Sequence, residues 1–248
     1  MSLEAIAKLC DTDHHLIGKI VRKRGLAIRP RESYCSYSVN HSAFDLITEE
    51  SAYWVGFLMA DGCITEAAGG HRPQVRLQLQ WSDQQHVQLF KEFIQSTSPI
   101  KKYQRKLHRT GRTFAYCSFS FTSQRIAERL AQFGVVPRKT KTAKAIILEG
   151  NQHFWRGVID GDGCLTWSAG KPVISLAGSQ SLVIQFAEFI RASHGFKLTP
   201  KNYRSHGQGW AIEATCQKAC VIVRHLYESC HIALNRKLER ASLIIEAR

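Results

Sequence analysis

The chain contains the same short pattern twice, and this duplication limits its possible folds more than any other feature. The segments "WVGFLMADGCI" (54–64) and "WRGVIDGDGCL" (155–165) share a glycine, a second small residue four positions later, and an Asp-Gly-Cys ending. Downstream, "FKEFI" (90–94) recurs as "FAEFI" (186–190), and "GVVPRKT" (134–140) has a looser counterpart in "HIALNRK" (231–237). Three landmarks in the same order predict two tandem copies of one unit.

Each copy has the pattern of an α+β unit with the order αββαββα. In the first copy, Thr48 is a plausible N-cap and Asn151 caps the matching helix of the second copy. The segment "QVRLQLQWS" (74–82) alternates apolar and polar residues, which predicts a strand with one buried and one solvated face. The predicted boundaries are 48–150 for the first repeat and 151–248 for the second.

Residues 3–30 precede both copies and predict a small helix-turn-helix unit, followed by a linker at 31–47. Its small core would consist of Ile6, Leu9, Leu16 and Ile20. The exposed face of its second helix, where such motifs meet DNA, would carry His15, Lys19 and Arg22. The alternative is an ordinary helical hairpin with a solvated basic end.

The charge balance favours a polyanionic partner. Lysine and arginine total 34 against 20 aspartates and glutamates, a formal net charge of +14, and nucleic acid is favoured over a merely solvated basic surface. The eight cysteines contain no CxxC pair, so we expect reduced thiols in an intracellular protein, with Cys63 and Cys164 filling the core beside their motif helices. No apolar run approaches the roughly 18 residues of a membrane span, and no signal peptide is recognisable.

The small residues of the repeated motif predict a close helix–helix contact. Gly56 and Ala60 share one helix face, as do Gly157 and Gly161, so the two motif helices can pack on each other. They would then bring Asp61 and Asp162 side by side at negative helix ends, an arrangement that needs a positive partner such as Mg²⁺. Beside a phosphodiester, such an ion activates water and neutralises charge. A plain Asp-Gly helix stop is the alternative, but its occurrence in both copies favours the acid site.

These two motifs resemble the paired motifs of single-chain LAGLIDADG homing endonucleases, and the resemblance covers about residues 46–248. It implies motif helices at a pseudo-twofold axis and two antiparallel sheets that form a DNA-binding saddle. It also implies hydrolysis of both DNA strands with Mg²⁺, or Mn²⁺ as a substitute, leaving staggered 3′ overhangs. Asp61 and Asp162 match the family's metal-binding acids, with the carbonyls of Ala60 and Gly161 as further ligands. Met59 replaces the acid found at Asp160, a position that is not essential in the family.

The resemblance also assigns DNA-contacting and water-ordering roles. Because Arg suits guanine and Gln suits adenine, the polar face of 74–80 would read bases. Asp83 and Gln180 would order water, and Lys218 is the suggested basic residue of the site. The base-reading candidates are Gln74, Arg76, Gln78, Gln80, Lys171 and Ser175, with Gln180 as a further candidate. The phosphate candidates are Arg138, Lys139, Arg236 and Lys237, together with the hairpin tips at 106–112 and 204–208.

We therefore expect a monomeric, site-specific DNA endonuclease that binds double-stranded DNA and needs no protein partner or membrane. Two alternatives stay open. A transcription regulator could keep this fold without cleavage, and an RNA maturase could use it to help an intron fold.

Overall fold

The computed structural model describes residues 3–26, 37–66, 72–106, 111, 113–202 and 209–246. The chain divides into a small unit, Met1–Ser38, and a large unit, Val39–Arg248. The two hairpin tips predicted to touch DNA lie outside the described residues, apart from Lys106 and Gly111. Among the described helices, none combines the length and the apolar character needed to cross a membrane.

The small unit contains two helices, α1 (Leu3–Leu9) and α2 (His14–Lys23). Asp13 caps α2 because its carboxylate accepts the backbone N–H of His15 at 3.0 Å. The predicted core is wrong at three positions, since Leu9, Leu16 and Ile20 are 75%, 50% and 44% exposed. Gly18 is buried instead, and a Cβ built there would lie only 3.6 Å from Leu3 Cδ1. The two helices thus meet at a glycine. His15, Lys19 and Arg22 are exposed, as predicted.

The second half of the predicted linker is a packed part of the large unit. Phe44 is 1% exposed, and the Asn40 N–H donates to the Ile94 carbonyl at 2.9 Å. The Arg129 guanidinium donates to the carbonyls of Phe44 and Asp45. These contacts attach residues 40–45 to the first repeat.

The large unit consists of two αββαββα repeats, as predicted, and the second repeat ends with one additional helix. Thr48 and Asn151 cap the first helices of the two repeats, as expected. The first repeat contains α3 (Glu49–Ala60), β1 (Gly62–Ile64), β2 (Gln74–Gln80), α4 (Gln84–Phe93), β3 (Lys101–Lys106), β4 (Thr113–Thr122) and α5 (Gln124–Gln132). The second contains α6 (Gln152–Asp162), β5 (Gly163–Ser168), β6 (Lys171–Gly178), α7 (Gln180–His194), β7 (Lys201–Asn202), β8 (Trp210–Thr215), α8 (Cys216–Tyr227) and α9 (Asn235–Glu246).

Each repeat builds one four-stranded antiparallel sheet, with strand orders β1-β2-β4-β3 and β5-β6-β8-β7. In the first sheet, Leu77 pairs with Phe119 and Leu79 pairs with Cys117, and these four side chains are buried. The opposite face, which we call the open face, carries Gln74, Arg76, Gln78 and Gln80. The alternation read from the sequence is therefore confirmed.

The register of the second sheet resolves which residues of β6 lie on its open face. Ile174 and Leu176 are buried against the helices. Ser175, between them, pairs with Cys164 on one side and Glu213 on the other. Lys171 and Ser175 therefore share the open face of the second sheet with Glu213.

Candidate acid and lysine site

The small residues of the two motifs lie where α3 and α6 touch. A Cβ built on Gly56 would be 2.0 Å from the Phe154 carbonyl oxygen, and one built on Gly157 would be 2.1 Å from the Tyr53 carbonyl oxygen. Both distances are far below ordinary contact, and both neighbours are backbone atoms that cannot rotate away. Nearer the helix ends, a Cβ on Gly161 would lie 2.4 Å from that of Ala60. The close contact predicted from sequence is therefore present, and it requires glycine at both central positions.

This contact brings the two motif aspartates into one electrostatic site. Asp61 is the C-cap of α3 and Asp162 is the last residue of α6. A Cβ built on Gly161 would be 3.3 Å from Asp61 Oδ2. The Asp61 carboxylate therefore lies against the other motif helix at Gly161, the residue that precedes Asp162. Burial and the neighbouring Asp61 charge raise the pKa of Asp162 to about 6. Burial also raises the pKa of Asp61, opposed by nearby cations.

Two lysines, one from each repeat, reach this site from equivalent positions. Lys139 Nζ donates to the Gly62 carbonyl, and Lys237 Nζ donates to the Gly163 carbonyl. Both glycines directly follow a motif aspartate. The lysines are only 8% and 5% exposed, and desolvation lowers the pKa of each, opposed by the motif carboxylates.

Lys139 and Lys237, which were predicted as phosphate contacts, are buried beside the acids rather than exposed on the surface. The suggested basic residue, Lys218, lies elsewhere: it is exposed on α8, with Nζ 5.7 Å from the ring centroid of Phe196. The repeated Arg-Lys pair at 138–139 and 236–237 was the sequence signal that could have identified the two buried lysines.

The arginine before each lysine behaves differently in the two repeats. Arg236 Nε donates to Asp83 Oδ2 at 3.1 Å, where the Asp83 side chain is only 8% exposed. Arg138 has a left-handed backbone (φ 57°) and an 86% exposed side chain, 3.7 Å from Glu66 Oε2. Gln180, the other predicted water-ordering residue, is exposed at the first position of α7. Of that pair, Asp83 is the one that joins the acid site.

An open cavity of about 500 Å³ connects the acid site with the open face of the first sheet. Sequence reasoning missed the contribution of β3 and β4 to this face. Tyr103 pairs with Tyr116, and their rings stack with centroids 5.3 Å apart. The hairpin pattern of 102–121 predicts that these strands pair, but it does not show that the pair lies beside the acid site. The cavity is lined by Asp61, Gln78, Leu79, Gln80, Asp83, Arg105, Phe114, Tyr116, Gly161 and Arg236.

Asp160, the residue that differs between the motifs, has a buried structural role. Its carboxylate accepts from the hydroxyls of Tyr53 (2.7 Å) and Tyr227 (2.6 Å) and from the Leu234 backbone N–H (2.7 Å). Because the Tyr53 hydroxyl donates to Asp160, it accepts from His86 Nε2 at 2.8 Å. Burial lowers the pKa of His86 to about 3, so its imidazole is neutral.

The prediction that the two motif cysteines fill the core is wrong. Cys63 and Cys164 are exposed, and they lie on the open faces opposite Arg76 and Ser175. The strands begin immediately after the Asp-Gly pairs, so alternation turns Ile64 and Leu165 inward and the cysteines outward.

This architecture of two αββαββα repeats is the LAGLIDADG endonuclease fold. A structure of the homing endonuclease I-WcaI bound to its DNA recognition sequence has a TM-score of 0.57 and 16% identity, covering 86% of this chain and 95% of that one. The structure of I-DmoI in complex with DNA and Ca has a TM-score of 0.50 and 15% identity, covering 82% and 98%. No family model matches the sequence, and no curated protein is significantly similar to it.

Proposed function

We propose that this protein is a metal-dependent DNA endonuclease that binds a long, specific duplex site and cuts both strands. The observation that carries this proposal is the meeting of Asp61 and Asp162, one from each repeat, between two buried lysines. Because one chain supplies both acids, the enzyme works as a monomer. The fold similarity to DNA-bound homing endonucleases supports the same conclusion.

The open faces of the two sheets form the proposed DNA-binding surface. On the first sheet, Arg76 suits guanine, and the three glutamines at 74, 78 and 80 suit adenine. Arg105 and Tyr116 extend this surface toward the acid site. The second sheet contributes Lys171 and Ser175, and the surplus of positive charge favours the DNA backbone. Arg138 and Arg236 remain the phosphate-contact candidates.

The residues at the site fit a hard divalent cation. Carboxylates of Asp61 and Asp162, with the backbone carbonyls of Ala60 and Gly161, are oxygen donors of the kind that Mg²⁺ prefers. Burial is the main cause that raises the pKa of both acids, so positive charge from a divalent cation would favour their ionised forms. When bound, Mg²⁺ or Mn²⁺ supplies that charge and makes water a better nucleophile.

The protein's own residues complete the chemistry. The two aspartates would hold the cation beside the phosphate that is cut. Lys139 and Lys237 are fixed by carbonyl hydrogen bonds in a partly desolvated position, where a positive charge strongly stabilises negative charge that develops on the phosphate. Asp83 lies close enough to order water at the same site.

The decisive experiment selects a duplex target from a randomised library and measures cutting with Mg²⁺. Asp61→Asn and Asp162→Asn should each abolish double-strand cutting while retaining binding. Glu188→Gln, which removes an exposed acid from α7, is the matched control and should cut normally. Full double-strand cutting by either aspartate variant would refute the assigned roles.

A DNA-binding regulator without cleavage is the second candidate. The helix pair α1–α2, with His15, Lys19 and Arg22 exposed on α2, favours it, since such a pair could also contact DNA. Specific binding without nicking in either Mg²⁺ or Mn²⁺ would select this alternative.

A further inference from the structure

The turns that carry the two buried lysines are held in different ways. Residues 234–237 (Leu-Asn-Arg-Lys) correspond to residues 136–139 (Val-Pro-Arg-Lys) in the first repeat. Both turns end with a lysine that donates to a motif glycine carbonyl. The other contacts of these two turns are not equivalent.

The turn in the second repeat is attached to both repeats by successive residues. The Leu234 N–H donates to the buried Asp160 carboxylate at 2.7 Å. Asn235 Nδ2 donates to Gln85 Oε1 at 3.2 Å, and Arg236 Nε donates to Asp83 Oδ2 at 3.1 Å. Gln85 and Asp83 belong to the first repeat, so this turn crosses the axis between the repeats.

The turn in the first repeat has replacements that remove these anchors. Met59 stands in place of Asp160 and is buried as an apolar side chain. Pro137 replaces Asn235 and has no side-chain donor. The N-cap of α7, which corresponds to Asp83 before α4, is Ser179, and its hydroxyl donates to the Ala143 carbonyl. Arg138 consequently lies exposed near Glu66 rather than against a buried carboxylate.

Asp83 orients the Arg236 guanidinium for a second partner. It engages Nε, and within the described part of the chain no hydrogen bond holds the two Nη groups of the planar fork. Arg236 and Asp61 both line the same cavity. A phosphate entering this cavity would meet a guanidinium already held in place.

We propose that Arg236, positioned by Asp83, clamps the scissile phosphate of one DNA strand, and that the two strands are therefore cut in a fixed order. This inference rests on the proposed nuclease function. In each cut, water adds its oxygen to phosphorus, the bond to the 3′ oxygen breaks, and that oxygen takes a proton, leaving 3′-hydroxyl and 5′-phosphate ends. The strand held by Arg236 is cut first, because its phosphate charge is already stabilised.

The test uses the full chain and the selected target, in a duplex with a different label on each strand, incubated with Mg²⁺. We expect the wild-type protein to accumulate a nick in one particular strand before the other is cut. Arg236→Lys should slow that first cut roughly 10-fold to 100-fold, because lysine cannot reproduce the oriented fork. Asp83→Asn should also slow the first cut and so reduce the strand preference, because Arg236 loses its charged partner.

The matched control changes an arginine to which no DNA contact is assigned. Arg191→Lys, on the exposed side of α7, should change neither rate. Equal rates for both strands in the wild type would overturn the inference while leaving the nuclease proposal intact, as would equal slowing of both strands by Arg236→Lys. A wild-type protein that binds the target but cuts neither strand would refute both the nuclease proposal and the fixed order of cutting. Thermal melts of each variant separate misfolding from these effects, and Asp83→Asn repeats the test if Arg236→Lys does not fold.

Discussion

Replacing Gly157 by alanine should separate the two motif helices. A Cβ at this position would lie 2.1 Å from the Tyr53 carbonyl oxygen and 2.7 Å from the Phe57 backbone nitrogen. Because both are backbone atoms of α3, no side-chain rotation can relieve the clash. Restoring an ordinary contact requires the helices to move apart by about 1.3 Å at this point.

The cost of this movement is large because the surrounding interface is fully packed. Tyr53, Phe57, Phe154 and Val158 are all 0% exposed, so separating the helices opens gaps among them. Overpacking a dense core commonly costs 1–3 kcal/mol, and a backbone clash belongs at or above the upper end, so we expect a loss of about 3 kcal/mol or more. For a chain of this size, that corresponds to a fall in melting temperature of roughly 6 to 12 °C.

Unfolding followed by circular dichroism, in urea and on heating, measures this loss. Gly150→Ala is the matched control, because a Cβ there meets nothing within 4 Å and its φ is not in the left-handed region. Gly150→Ala should leave the free energy of unfolding unchanged or raise it slightly, because alanine lowers the conformational entropy of the unfolded chain. A free energy of unfolding for Gly157→Ala within about 1 kcal/mol of the wild type, the size of an ordinary substitution, would contradict this expectation. Equal stability of Gly157→Ala and Gly150→Ala would contradict it as well.

Three further predictions concern pH, the lysines and the second sheet. His86 has a folded pKa of about 3 against an ordinary value of 6.5, so the unfolded state binds the proton first and stability falls as pH drops below 6.5. At pH 5 this one group should cost about 2 kcal/mol, and urea unfolding of His86→Gln should show a flatter pH dependence. Lys139→Ala and Lys237→Ala should each lower the cutting rate roughly 100-fold with little change in target affinity measured by gel shift; an equal loss of affinity would instead indicate surface phosphate contacts. Glu213→Gln should tighten DNA binding measured at several salt concentrations, because it removes a carboxylate from the open face of the second sheet, and weaker binding would place Glu213 in a direct base contact.

The sequence was most informative where the signal is local. Helix and strand periodicities repeat every few residues, so the polar face of 74–80 and the close contact at Gly56 and Gly157 could be predicted without knowledge of the fold. The duplicated motif also identified Asp61 and Asp162, because two copies in one chain imply equivalent positions in space. The wrong predictions for Cys63 and Cys164 were failures of the same local reasoning, since the exact start of each strand decides which face a residue takes.

Tertiary structure alone decided the contacts between distant parts of the chain. Lys139 reaches a carbonyl 77 residues away, and Arg236 meets Asp83 across 153 residues. The local sequence around Lys139 or Arg236 does not identify these partners. Each contact depends on how distant segments pack together and on where a turn is anchored. The burial that lowers the pKa of the two lysines has the same origin: desolvation comes from surrounding atoms that only the folded chain brings together.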